Sequence, residues 1–112
     1  MKSILQFIAS AKSGWYSGKG FKASKQGKYE TALSYFELAL LNTKDNFDPV
    51  VHDSMAIAYY KLNRYEEALT NAEKSFDQYQ FIGSDDPKIK KRISLLKELI
   101  EDLRKSVTQP IA

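Results

Sequence analysis

These 112 residues predict an all-α domain of two helical hairpins followed by a closing helix. Two observations carry that expectation. Shifted by 36 positions, Lys25, Tyr29, Glu30, Ala32 and Leu33 fall on Lys61, Tyr65, Glu66, Ala68 and Leu69, and self-similarity at such a period marks a repeat architecture. Within each copy, and again in the segment that follows, apolar residues step by three and four, the period of a helix and not of a strand. Composition agrees: 43% hydrophobic and 28% charged residues are ordinary for a soluble globular domain. A chain of this length supports one domain with a modest core.

The elements follow in chain order. Residues 1–12 form an N-terminal segment in which Lys2, the stretch from Ile4 to Ile8 and Ala9-Ser10-Ala11 resemble a signal peptide with a small-residue cleavage site. Gln6 interrupts the apolar stretch, which falls short of the roughly 7–15 residues such a region needs. The segment is therefore expected to belong to the fold and to cap the first hairpin with its apolar face. The first copy, residues 13–46, sets Trp15, Tyr16, Gly20, Phe21 and Ala23 before a turn and Tyr29, Ala32, Leu33, Phe36, Ala39 and Leu40 after it. The second, residues 49–82, sets Val51, Met55, Ala56, Tyr59 and Tyr60 before its turn and Tyr65, Ala68, Leu69, Ala72, Phe76 and Tyr79 after it. Gly27 and Asn63 occupy equivalent turn positions, and both residue types tolerate the left-handed conformation that ends a helix. Small side chains at Gly20, Ala32, Ala56 and Ala68 let paired backbones approach, so Ala32 and Ala68 are expected to be buried. The last element, residues 87–107, begins at Asp86-Pro87 as the third helix begins at Asp48-Pro49, an N-cap acid before a proline in the first helical position. Ile89, Ile93, Leu96, Ile100, Leu103 and Val107 give it one continuous stripe.

The run from Lys19 to Leu40, with Gly20, Gly27, Tyr29, Ala32, Tyr35, Phe36 and Ala39 at fixed spacing, resembles a tetratricopeptide repeat (TPR). The second copy keeps Ala56, Tyr59, Tyr65 and Ala68 but has Asn63 at the turn glycine and Ala72 and Ser75 further on. Its offset of 36 exceeds the usual period of about 34, through two extra residues near Phe47 and Asp48. The resemblance implies helical hairpins stacked as a short right-handed superhelix, with residues 87–107 as the helix that closes such arrays. Two repeats are fewer than the usual minimum of about three. Residues 2–12 and 87–107 are therefore expected to serve as caps.

Little catalytic chemistry can be assembled. With no cysteine and one histidine, His52, thiolate nucleophiles, disulfides and cysteine zinc sites are excluded and a histidine relay is implausible. His52 is expected as a partly exposed packing residue. The run Gly14-Trp15-Tyr16-Ser17-Gly18-Lys19-Gly20 departs from a phosphate loop, which needs four residues between its glycines and a hydroxyl after the lysine. Glu66/Glu67 and Asp85/Asp86 are neighbours, and adjacent helical residues point in different directions. No nucleophile, base and orienting group come together, so no enzyme activity, cofactor or metal is expected.

Charge is distributed unevenly. Residues 1–28 hold six lysines and no acid, residues 29–86 carry a net −7, and residues 87–112 a net +4. Basic ends with interleaved aromatics are what single-stranded nucleic acid requires, yet Trp15, Tyr16 and Phe21 fall on packing positions of the repeat. Nucleic acid and membrane are therefore not the expected partners. The expected location is the cytoplasm.

What the TPR resemblance implies is a protein-interaction module, an adaptor or scaffold holding a protein or peptide on its concave face, along the first helix of each pair. On this chain that places Phe21, Ile57 and Tyr60 on the floor, Ser17 and Ser54 beside them, and Lys25, Lys61, Lys88, Lys91 and Arg92 on the lip, with Asp53 the nearest acid. A positive lip favours an acidic segment. The chaperone-binding members of the family grip a terminal carboxylate with five residues, whose places here are Ser17, Phe21, Ser54, Lys88 and Arg92. Only the last two match, so chaperone tails are not expected to bind strongly. The rival reading is a self-associating subunit, a homodimer formed through Ile93, Leu95, Leu99 and Leu103, since Leu95 and Leu99 widen the apolar face of the last helix. A nucleic-acid-binding helical repeat is the third.

Overall fold

The computed structural model describes residues 4–108. Helices α1 (Ile4–Lys25) and α2 (Tyr29–Leu41) form one hairpin, α3 (Pro49–Lys61) and α4 (Tyr65–Ile82) the second, and α5 (Pro87–Thr108) packs along α4. The hairpins meet mainly through α2 and α3, with a smaller contact between α1 and α3. Among the described residues there is no strand. The all-α architecture of paired helices is as expected.

The two hairpin turns are the same structure built from different residues. Gly27 and Asn63 both sit in the left-handed region, at φ 75° and 61°. Beyond them the Lys28 N–H donates to the Ala23 carbonyl and the Arg64 N–H to the Tyr59 carbonyl, each at 2.9 Å. This bond satisfies a carbonyl that the end of the helix would otherwise leave open. At the second turn the Arg64 guanidinium lies 4.7 Å from the Tyr59 ring and pairs with Glu67. Both expected N-caps form: Asp48 Oδ1 accepts from the Val51 N–H at 3.1 Å, and Asp86 Oδ1 from the Lys88 N–H at 2.9 Å. The extra length between the repeats is absorbed by a 3-10 turn at Lys44–Asn46, where Asp45 and Asn46 take positive φ, a conformation open to Asp and Asn at modest cost.

Small residues in the helix-pairing seams set the distances of the core. Ala32, Ala39, Ala56, Ala68 and Ala72 are fully buried. Phe36 fills the first hairpin, lying over Gly20 with its ring 5.3 Å from that of Phe21. Ser75, the counterpart of Ala39, is equally buried and donates its hydroxyl to the Pro49 carbonyl at 2.8 Å, so the polar substitution is satisfied. On α5, Leu96, Ile100 and Leu103 are buried against the rest of the core.

Three expectations are corrected. Residues 4–12 are not a separate cap folded onto the hairpin; they are the first turns of α1, and Ile4, Leu5 and Phe7 are exposed. The stripe of α1 that turns inward is Ala9, Ser13, Tyr16, Gly20 and Ala23, and its small side chains match the approach of α2. His52 is buried, 3% exposed, with Nδ1 3.0 Å from Asn71 Oδ1 and Nε2 3.0 Å from the Asn46 carbonyl. It ties α3 to α4 and to the 3-10 turn. Leu103, assigned above to a self-association face, is 1% exposed and belongs to the core.

Candidate functional site

The exposed sides of α1, α3 and α5 form a shallow trough in two parts that meet at Ile57. Its first part, about 370 Å³, is lined by Phe21, Ser24, Lys25, Ser54 and Ile57. Its second, about 160 Å³, is lined by Asp53, Ile57, Arg92, Leu95, Leu96 and Leu99. Ile57 belongs to both and is 47% exposed, so it stands at the centre of the surface. Ile57 lies two residues after Met55 and one after Ala56, which point into the core; helical geometry turns it to the opposite side.

Of the ten residues expected at such a site, Phe21, Lys25, Ser54, Ile57 and Arg92 line the trough. Ser17 is half-buried one turn from Phe21 and donates its hydroxyl to the Gly14 carbonyl at 3.1 Å. The Ser54 hydroxyl likewise donates to the Val50 carbonyl, at 2.8 Å. Tyr60 is 44% exposed and packs its ring 5.7 Å from that of Tyr65, one turn beyond Ile57. Lys61, Lys88 and Lys91 are exposed and line neither part.

Arg92 is not a free cation. Its Nε lies 3.3 Å from Asp53 Oδ2, and Nη1 donates to the Tyr79 hydroxyl at 3.4 Å. The pair joins α3 to α5 across the floor of the trough. Burial pushes the Asp53 carboxyl above the usual carboxylate range, and the Arg92 guanidinium pulls it part of the way back. Desolvation outweighs attraction here because Asp53 is nearly enclosed while Arg92 remains half open to water, which screens its charge.

Ser24, Leu95 and Leu99 complete the lining without having been assigned to it from the sequence. The signal for the two leucines was present, since both lie off the buried stripe of α5, but periodicity alone could not say which surface they would join. A larger hollow, about 740 Å³, lies between Ser10 and Ser13 of α1, the 42–48 connection and Phe81. Much of its polar lining is occupied internally: Ser13 bonds Thr43 at 2.7 Å, and Thr43 bonds the Ala39 carbonyl at 2.8 Å.

Over 55 residues, 49% of this chain, the sequence is 40% identical to the Hsp70-Hsp90 organising protein of Plasmodium falciparum, and equally to that of P. falciparum isolate 3D7. The chain spans 21% and 9% of the lengths of those two proteins. No family model matches the chain, and no solved structure does. The likeness is thus to part of a chaperone-organising protein, in a chain whose own structure consists of helical hairpins.

Proposed function

We propose that this domain is a TPR-type adaptor that binds an extended or helical protein segment in the α1–α3–α5 trough. The observation that carries the reading is the row of apolar side chains along the trough, the half-buried Phe21 of α1 and the exposed Ile57 of α3 and Leu95 of α5. Apolar anchors at the centre of a trough supply most of the affinity of such contacts, while charges around the rim steer encounter and select partners. Lys25 lines the trough, and Lys61, Lys88 and Lys91 are exposed on α3 and α5, the helices that form its walls, favouring a segment with acidic residues beside its apolar ones.

The partial likeness to a chaperone-organising protein supports a protein-interaction role, while the residues at the clamp positions of this chain argue against a carboxylate clamp on this surface. Ser17 and Ser54 spend their hydroxyls on their own helices, Phe21 packs against Phe36, and Arg92 is engaged by Asp53. A terminal carboxylate would meet few of the charge-assisted donors that hold one. Peptides copying the C-termini of Hsp70 and Hsp90 are therefore expected to bind weakly; a micromolar Kd by calorimetry would contradict this.

The direct test is selection of peptides on the intact domain, followed by titration of the best ones against Ile57→Asp. Ile57 is half exposed, so the change should leave folding intact by circular dichroism. Loss of a central anchor should weaken binding by roughly tenfold or more, about 1.4 kcal/mol or above. Unchanged affinity would place the ligand on another surface.

A further inference from the structure

The N-terminal half of α1 is amphipathic in the inverted sense. Its inward stripe, Ala9, Ser13 and Tyr16, is made of small or polar-tipped residues, and Ser10 and Ser13 line the hollow at the 42–48 connection. Its outward stripe, Ile4, Ile8, Ala11, Trp15, Lys19 and Lys22, steps by four and three and is exposed throughout. Phe7 and Leu5 flank it at 70% and 78% exposure, and Trp15 itself is 58% exposed. At 22 residues against 13, α1 also exceeds α2 by nine, about 13 Å of helix. Ile4, Leu5, Phe7 and Ile8 thus face away from the domain they belong to, and Trp15 is exposed beside them with its ring centroid 6.5 Å from that of Tyr35 on α2.

Charge decides what fits that face. Every charged residue of α1 is a lysine: Lys12, Lys19, Lys22 and Lys25. Lys19 places its ammonium 5.3 Å from the Trp15 ring, at the edge of the apolar patch. A second copy docking the same face symmetrically would bring two lysine-bearing helices together with no acid on either to pair Lys12, Lys19 and Lys22. An anionic lipid surface supplies both missing halves, headgroups for the lysines and an apolar boundary for Ile4, Phe7, Ile8 and Trp15. A helix that lies in a bilayer interface has this composition. No helix among the described residues is long and apolar enough to cross a membrane, so the geometry is that of a surface contact.

We infer that the outward face of α1 docks the domain onto anionic membrane surfaces, leaving the α1–α3–α5 trough free for a protein segment. The expectation against a membrane partner rested on the apolar face of residues 2–12 being used as a cap, and in residues 4–12 it is not.

Trp15 is the sole tryptophan and reports directly. The full chain should show a blue shift of tryptophan emission and co-sediment with phosphatidylcholine vesicles containing phosphatidylserine, but not with phosphatidylcholine alone. Raised salt should weaken the binding several-fold. The double variants Ile4→Ser/Ile8→Ser and Lys12→Glu/Lys19→Glu alter only exposed side chains and should each reduce it at least tenfold, with unchanged circular dichroism and thermal midpoint. Ile57→Asp should bind vesicles like the parent, which keeps the test independent of the trough. Three results would each overturn the inference: no binding to anionic vesicles, binding that survives both double variants, or a concentration-dependent dimer in sedimentation that Ile4→Ser/Ile8→Ser abolishes.

Discussion

Gly20 is where the first hairpin is closest. A Cβ built there would lie 2.6 Å from Phe36 Cδ1 and about as close to its neighbour on the ring, while Phe36 is fully enclosed and has nowhere to move. In an exposed helix interior Gly→Ala gains up to about 1 kcal/mol, but overpacking a tight core costs about 1–3 kcal/mol, and here the clash dominates. Gly20→Ala should lower the urea midpoint, and Phe36→Leu introduced with it should recover part of the loss. Additive losses in the double variant would show that the two side chains do not compete for the same space. Asp53 makes a second prediction at this scale. Its carboxyl is raised in the folded chain above the unfolded value of about 3.9. Between the two values the native state holds a proton that the unfolded state has released, so this group's contribution is complete below the unfolded value and is lost as pH rises through the folded one. The stability of the parent relative to Asp53→Asn should therefore fall as pH is raised above about 4. Matched urea titrations of the two proteins measure that difference, and a rise with pH would mean that the attraction of Arg92 outweighs burial.

At the scale of elements, α5 is the piece on which the second hairpin depends. Its stripe covers the core side of α4, where Ala72 and Tyr79 are buried and Phe76 half-buried, and Arg104 pairs with Glu73 at 3.2 Å. The ion pair is exposed and contributes little; the leucines and isoleucines do the covering. Removing residues 87–112 should uncover that face and give an aggregating or molten chain. Loss of near-ultraviolet dichroism with dye binding would be seen, whereas a soluble 1–86 fragment with cooperative unfolding would show that two hairpins suffice. The helices themselves were readable because each is bounded by local chemistry: Asp48 and Asp86 as caps, Gly27 and Asn63 at the turns. Such signals act within a few residues and need no tertiary partner. The boundary expected between residues 12 and 13 is different: α1 runs through it unbroken, although Ser13 and Gly14 stand there.

Across the whole molecule, the described residues extend 54 × 32 × 22 Å, long for their number, because the helices stack in a row and do not surround a centre. An arrangement of this kind leaves long faces exposed. The repeat arithmetic determined by itself that there would be two hairpins and a closing helix and that Ala32 and Ala68 would be buried, because each follows from helical periodicity and local spacing. Placing Phe21, Ile57 and Tyr60 on one surface came from the TPR resemblance; of the three, Ile57 and Tyr60 are exposed and Phe21 is half-buried against the core. Only the tertiary structure decided that Arg92 spends its charge on Asp53, that Leu95 and Leu99 join Ile57 in one trough while Leu103 enters the core, that His52 is enclosed, and that Ile4 and Ile8 face outward. Periodicity states which residues share a face of a helix, but which face meets a neighbour depends on where the other helices lie. For α1 that was settled by small residues, Ala9 and Gly20 among them, which let α2 approach more closely than the large apolar stripe could.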